Sequence, residues 1–124
     1  MNTWVAIAIG GAVGAIGRYA LSNGVYTFLG RDFPYGTLVV NVLGSLLMGL
    51  LYILLVERAS LGPEWRALLL VGFLGSFTTF STFSMETMTL IETHAYLKAG
   101  MNVLLSVALC LLGTGMGMMI ARKL

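Results

Sequence analysis

Gly72-Phe73-Leu74-Gly75-Ser76-Phe77-Thr78-Thr79-Phe80-Ser81-Thr82-Phe83-Ser84 lies inside an uncharged run from Ala67 to Met85, and it is an odd composition for a segment in lipid. It concentrates Gly, Ser, Thr and Phe where a lipid-facing helix would use Leu, Ile and Val. Ser and Thr compete for backbone hydrogen bonds and Gly adds flexibility, so the composition predicts a helix that breaks here. A break within a membrane frees carbonyl oxygens, which persist only if protein, water or a bound ion satisfies them. Oxygens from two symmetry-related breaks would suit a hard cation. Phe77, Phe80 and Phe83 recur at i, i+3, predicting one aromatic face. The ring edges carry the positive end of the aromatic quadrupole and can face an anion; equally, the rings can simply fill a bundle.

Outward from this run, three more stretches are nearly free of charge: residues 4–21, broken only by Arg18, residues 37–56 and residues 99–121. With the third span carried to residues 67–93, they predict a single domain of four transmembrane helices. Each is long enough to cross a hydrocarbon core of about 30 Å at about 1.5 Å per residue. Composition agrees: of 124 residues, 58% are hydrophobic and 10% charged, too few to cover a water-facing surface. Turn signals fall between the spans at Ser22-Asn23-Gly24, Phe33-Pro34-Tyr35-Gly36, Ser60-Leu61-Gly62-Pro63 and His94 to Lys98. Val25 to Leu29 fits either a short interfacial helix or an extension of the first span. The N-terminus lacks the positive region of a secretory signal, so the first apolar run reads as a retained span. Trp4, Tyr35, Tyr52, Trp65 and Tyr96 fall near span ends, as an aromatic belt requires.

The seven Lys and Arg are scattered, with no basic stripe to follow a phosphate backbone, which argues against nucleic-acid binding. A single cysteine, Cys110, excludes an intrachain disulfide and a cysteine-based metal site. Across four spans, Arg58, Arg66, Arg122 and Lys123 fall on one side and Arg18, Arg31 and Lys98 on or near the other. That split of the seven, four against three, is a weak orientation signal. Such a chain either takes one orientation by a small excess or inserts both ways and pairs as an antiparallel two-fold dimer. Small residues four apart, Gly10 and Gly14, Ser45 and Gly49, Gly113 and Gly117, predict close helix packing in lipid.

Polar residues within the spans bear on transport. Asn41 and Ser45 lie one turn apart in the second span. In the fourth, Asn102, Ser106, Cys110 and Thr114 recur every four residues, a row about 18 Å long on one helix face. Such a row is a candidate track for a small polar solute, although single Ser and Thr residues often bond the carbonyl one turn back. Arg18 is the only ionised residue embedded in the first, second or fourth span, whereas Glu86 closes the uncharged part of the third. The lack of a carboxylate in the other three spans argues for an anion rather than a cation or coupled proton. Arg18 can instead snorkel to an interface.

Three ordered motifs carry a family resemblance: Gly10-Gly11-Ala12-Val13-Gly14-Ala15-Ile16-Gly17-Arg18-Tyr19, Gly36-Thr37-Leu38-Val39-Val40-Asn41, and Gly75 through Ser84. Together with span number, order and length, the chain resembles the Fluc (CrcB-type) fluoride channels from end to end. The resemblance implies an all-α membrane protein with a third helix broken mid-membrane, assembled as an antiparallel dual-topology homodimer. It implies two anion pores along the subunit interface, with Phe80 and Phe83 as pore phenylalanines, Asn41 as a donor, Ser81 and Thr82 as hydroxyl contributors, and Ser106 and Thr114 on a polar track. Arg18, Ser84, Glu86, Asn102 and Cys110 are further candidates; Asn102 stands where many members have tyrosine and Cys110 where serine is frequent. Backbone carbonyls of Gly75 and Thr78 from both subunits would hold a central sodium ion that is not transported.

The implied activity is passive and fluoride-selective, exporting cytoplasmic fluoride through the cell (inner) membrane and so reducing its toxicity, with no nucleotide involved and no enzymatic step. A strongly hydrated anion needs its water replaced by donors and partial positive charges, which hydroxyls, an amide and ring edges supply. Two other classes compete with this reading. A small dual-topology multidrug and proton exchanger needs a carboxylate in its first span, where this chain has glycines and Arg18. A non-transporting membrane assembly protein accounts for the glycines but not for the in-register polar row.

Overall fold

The computed structural model describes residues 2–58 and 61–124, so Ser60 of the expected second connector lies outside the described residues. Helix α1 runs Thr3–Leu29, capped at its start by Asn2, whose side chain accepts from the Trp4 N–H at 2.7 Å. Helix α2 (Tyr35–Tyr52) continues into a wider π-type turn, Ile53–Glu57. The third span begins as α3 (Pro63–Arg66), widens into a π-type segment, Ala67–Leu74, and ends its first half in α4 (Gly75–Phe77). Thr78 (φ −90°, ψ 156°) and Thr79 (φ −150°, ψ 116°) are extended, and the chain becomes helical again in α5 (Phe80–Glu92). Helix α6 spans Tyr96–Lys123. Four helical stretches are long and apolar enough to cross a membrane: Thr3–Leu29, Tyr35–Glu57, Pro63–Glu92 and Tyr96–Lys123. Among the described residues every regular element is a helix.

Several boundaries differ from expectation. Ser22-Asn23-Gly24 makes no turn but lies inside α1, and Val25 to Leu29 extends that helix. The hydroxyls that usually compete for turn formation are used inside the helix: Ser22 Oγ donates to the Tyr19 carbonyl at 3.2 Å and Thr27 Oγ1 to the Asn23 carbonyl at 2.9 Å. Gly24 costs the helix about 1 kcal/mol relative to Ala, less than the several that unpaired backbone groups cost in hydrocarbon. The chain reverses instead at Gly30, whose φ of 81° suits a residue without Cβ, and at Pro34, which precedes α2. The third connector is shorter than expected, because Tyr96, Leu97 and Lys98 already belong to α6.

Packing explains the paired small residues. A Cβ on Gly14 would run into the backbone carbonyl of Phe73, and one on Gly117 into that of Leu46. Glycine at these places lets α1 approach the first half of the third span, and α6 approach α2, to backbone contact. Between the layers, Val40, Leu74 and Phe77 form the buried centre. Phe77 therefore does not share one face with Phe80 and Phe83. The two extended residues reset the helical phase, so the rings pair separately: Phe73 stacks on Phe77 (5.6 Å, 15°), and Phe80 tilts against Phe83 (5.3 Å, 41°).

Candidate functional site

The site is organised around the extended pair Thr78-Thr79. Without helical geometry, the Thr79 N–H turns away from the helix ladder and donates to Asn41 Oδ1 on α2 at 2.7 Å. Asn41 Nδ2 donates back to the Thr79 carbonyl at 3.0 Å, so one side-chain amide pairs both polar groups of this residue. Thr79 also caps α5: its Oγ1 accepts from the Thr82 N–H at 3.2 Å and donates to Thr82 Oγ1 at 3.0 Å, with Ser81 Oγ 3.3 Å away. On the other side of the interruption, Arg18 Nε donates to the Ser76 carbonyl at 3.0 Å, and Thr78 Oγ1 to the Leu74 carbonyl at 3.0 Å.

The interruption also redirects N–H groups that helical carbonyls would otherwise receive. In an uninterrupted helix, Gly75 and Thr78 would accept from the N–H groups of Thr79 and Thr82, four residues on. Those two donors point at Asn41 Oδ1 and Thr79 Oγ1 instead. The carbonyls expected to bind a cation are therefore among those whose helical donors have been diverted.

Beside the interruption, an open groove of about 410 Å³ lies between α2, α5 and α6. Asn41, Phe80, Phe83, Ser106, Cys110 and Thr114 line it, together with Thr78 and Thr79. Phe80 is 77% exposed and Phe83 only 8%, so one ring of the pair is free to meet a second surface while the other is packed within the chain. Ser81 and Thr82 are not part of the lining and reach the groove only through the Thr79 hydroxyl, and Ser84 and Arg18 lie outside it.

The polar row of α6 divides. Ser106, Cys110 and Thr114 face the groove, and Thr114 Oγ1 donates to the Ser45 carbonyl at 3.1 Å, tying α6 to α2. Asn102 is 2% exposed and sits apart from the groove. Its Nδ2 donates to Thr87 Oγ1 at 3.0 Å, and its Oδ1 accepts from Ser106 Oγ at 3.4 Å. Thr87, buried one turn after Phe83 and donating to the Phe83 carbonyl at 2.8 Å, belongs to this network and is not among the residues the sequence singles out. A polar residue at i+4 from a pore-motif phenylalanine was the available signal.

Glu86 belongs to a second, smaller cavity of about 210 Å³, lined also by Tyr26, Arg31 and Asp32. Tyr26 Oη donates to Glu86 Oε2 at 2.9 Å, a contact no local pattern announces, since 60 positions separate the two residues. No group of three or more His, Cys, Asp or Glu side chains that could hold a metal occurs among the described residues.

Residues 5–118 match the family model described as "CrcB-like protein, Camphor Resistance (CrcB)". The chain belongs to the CrcB family. Within that family it is 57% identical over 119 residues to a protein of Methylococcus capsulatus named "Fluoride-specific ion channel FluC", covering 96% of this chain and 52% of that relative. Against that relative the chain spans about half the length. It is 53% identical over 119 residues to a protein of the same name from Coxiella burnetii, covering 95% of this chain and 96% of the relative. It is also 52% identical over 124 residues to one from Geobacter sulfurreducens, covering the whole of both chains. In CrcB-family terms, the groove, the extended pair and the two bracketing side chains Arg18 and Asn41 all lie within the matched residues.

Proposed function

We propose that this chain forms a passive, fluoride-selective channel that lets fluoride leave the cytoplasm and so limits its toxicity. The observation that carries this reading is the groove: hydroxyls, a thiol and an amide face an exposed phenylalanine ring beside backbone released from helical pairing. The names borne by the relatives point the same way. Fluoride holds its water tightly, and a lining of hydroxyl and amide donors with ring edges can replace that water without a fixed cation that would trap the ion. Ionised carboxylates are absent from the groove lining, which favours an anion.

The groove is open along one side, and in lipid such a surface needs a cover. A second copy in antiparallel orientation is the cover this reading assigns. The near-even distribution of Lys and Arg supports insertion both ways up, and the 77% exposed Phe80 ring supports a role across the interface. Thr78-Thr79 is then a mid-membrane break of the third helix. Its diverted donors leave the Gly75 and Thr78 carbonyls as hard oxygen ligands that fit a sodium ion shared by the two copies; when bound it supplies positive charge at the dimer centre and is not transported. The protein sits in the cell (inner) membrane as a multi-pass homodimer.

The testing experiment is efflux from liposomes. Purified protein should release fluoride without a pH gradient or ATP and should retain chloride. Equal loss of both halides, or fluoride loss only in exchange for protons, overturns the reading.

A further inference from the structure

We infer that Tyr26 is a positioning residue, holding the Glu86 carboxyl group in one orientation at the connector end of the fluoride path. This rests on the reading that the chain conducts fluoride. Tyr26 is fixed on three sides by unrelated parts of the sequence. Its ring lies where a Cβ on Gly36 would be, so the glycine at the start of α2 makes room for it. The Arg31 guanidinium lies over the ring, 4.4 Å from its centroid, a cation–π contact. Its hydroxyl donates to Glu86 Oε2 at 2.9 Å. Together these join the end of α1, the first connector, the start of α2 and the middle of α5.

Glu86 needs such a partner. It follows Phe83 by three residues on α5, so it lies on nearly the same helix face, one turn beyond the pore phenylalanine. Its Oε1 is buried with no hydrogen-bond partner among the described residues. Tyr26 is therefore the carboxyl group's one hydrogen-bonded anchor there. Arg31 and Asp32, from the connector, are the other charged groups lining the same cavity. A carboxyl group one turn from an anion's route governs passage by where its oxygens point. Without the hydroxyl, the side chain is released to rotate toward Phe83 or toward the connector.

The test is fluoride efflux from liposomes with Tyr26→Phe, Tyr26→Leu, Glu86→Ala and the double variant Tyr26→Phe/Glu86→Ala, each checked as a dimer by size-exclusion chromatography. Phe keeps the ring above Gly36 and beneath Arg31 and removes only the hydroxyl. Positioning requires Tyr26→Phe to lose fluoride flux about tenfold, the scale of a lost hydrogen bond to a charged group. It further requires that loss to vanish in the Glu86→Ala background, because there is then nothing to position. If Phe restores what Leu destroys, or if the Tyr26→Phe effect is unchanged when Glu86 is absent, Tyr26 is packing and the inference is overturned. Wild-type protein that passes no fluoride overturns the channel reading, and this inference with it.

Discussion

Asn41 offers the sharpest separation between holding the backbone and touching the ion. Replacing it with Ala leaves the Thr79 N–H and carbonyl without the partners now at 2.7 and 3.0 Å. Each such group, left unpaired in a partly dry site, costs about 1–3 kcal/mol. Both residues are half-buried and border an open groove, so water recovers part of that and the lower end applies to each. The Thr79 amide is the direct reporter. Its exchange with deuterium should speed up about 5-fold in Asn41→Ala, the factor corresponding to about 1 kcal/mol for one lost bond. Asn41→Asp should behave differently, since a carboxylate oxygen still accepts from the Thr79 N–H. Amide protection should persist, while fluoride efflux falls because a negative group now borders the groove and faces the Thr79 carbonyl where a donor stood. Unchanged Thr79 protection in Asn41→Ala would refute the bracket, and normal efflux in Asn41→Asp would remove Asn41 from the path.

Phe80→Met should leave folding nearly unchanged, because the ring is mostly exposed within the chain, yet it should abolish most fluoride efflux; normal efflux would make the ring a spacer. Phe83→Met, in a buried position, should additionally cost up to about 1.5 kcal/mol in denaturant unfolding in detergent. Gly75→Ala meets only ordinary contact within one chain, the Leu70 carbonyl at 3.7 Å, so weakened dimers or lost sodium dependence would report on the shared site; wild-type behaviour would count against it. Gly117→Val should destabilise the chain by about 1–3 kcal/mol or more, since its Cβ meets the Leu46 backbone rather than a movable side chain. Unfolding in detergent at wild-type midpoint would contradict the close α2–α6 approach.

The four membrane-capable helices were legible because apolar length is a property of consecutive residues, and the small-residue spacing was legible for the same reason. The bends were less so. Gly24 looked like a turn and is helical, while Gly30 turns, because lipid penalises unpaired backbone more than glycine penalises a helix. In the third span the departure falls on Thr78-Thr79, within the stretch whose composition predicts it, while Gly75 stays helical at φ −60°. Two adjacent β-branched residues tolerate extended backbone well. The periodicity of α6 correctly put Asn102, Ser106, Cys110 and Thr114 in a row, but a period names a face and not the neighbour it meets. Only the packing of α5 against one end of that row removes Asn102 from the groove and gives it to Thr87. The partners of Arg18, Asn41 and Glu86 lie 58, 38 and 60 positions away, beyond any local pattern.

Those long-range partners explain why three separated motifs belong to one device. Interrupting a helix in lipid strips several carbonyls and N–H groups of their ladder, and each must find a substitute. Arg18 from the first motif serves the Ser76 carbonyl; Asn41 from the second serves both polar groups of Thr79; Thr79 itself serves the Thr82 N–H. Moving Arg18 would strip the Ser76 carbonyl of its partner, and moving Asn41 would strip both polar groups of Thr79. Arg18 is thus directed inward to the third span rather than snorkelling outward. It acts on the backbone it holds and does not line the groove.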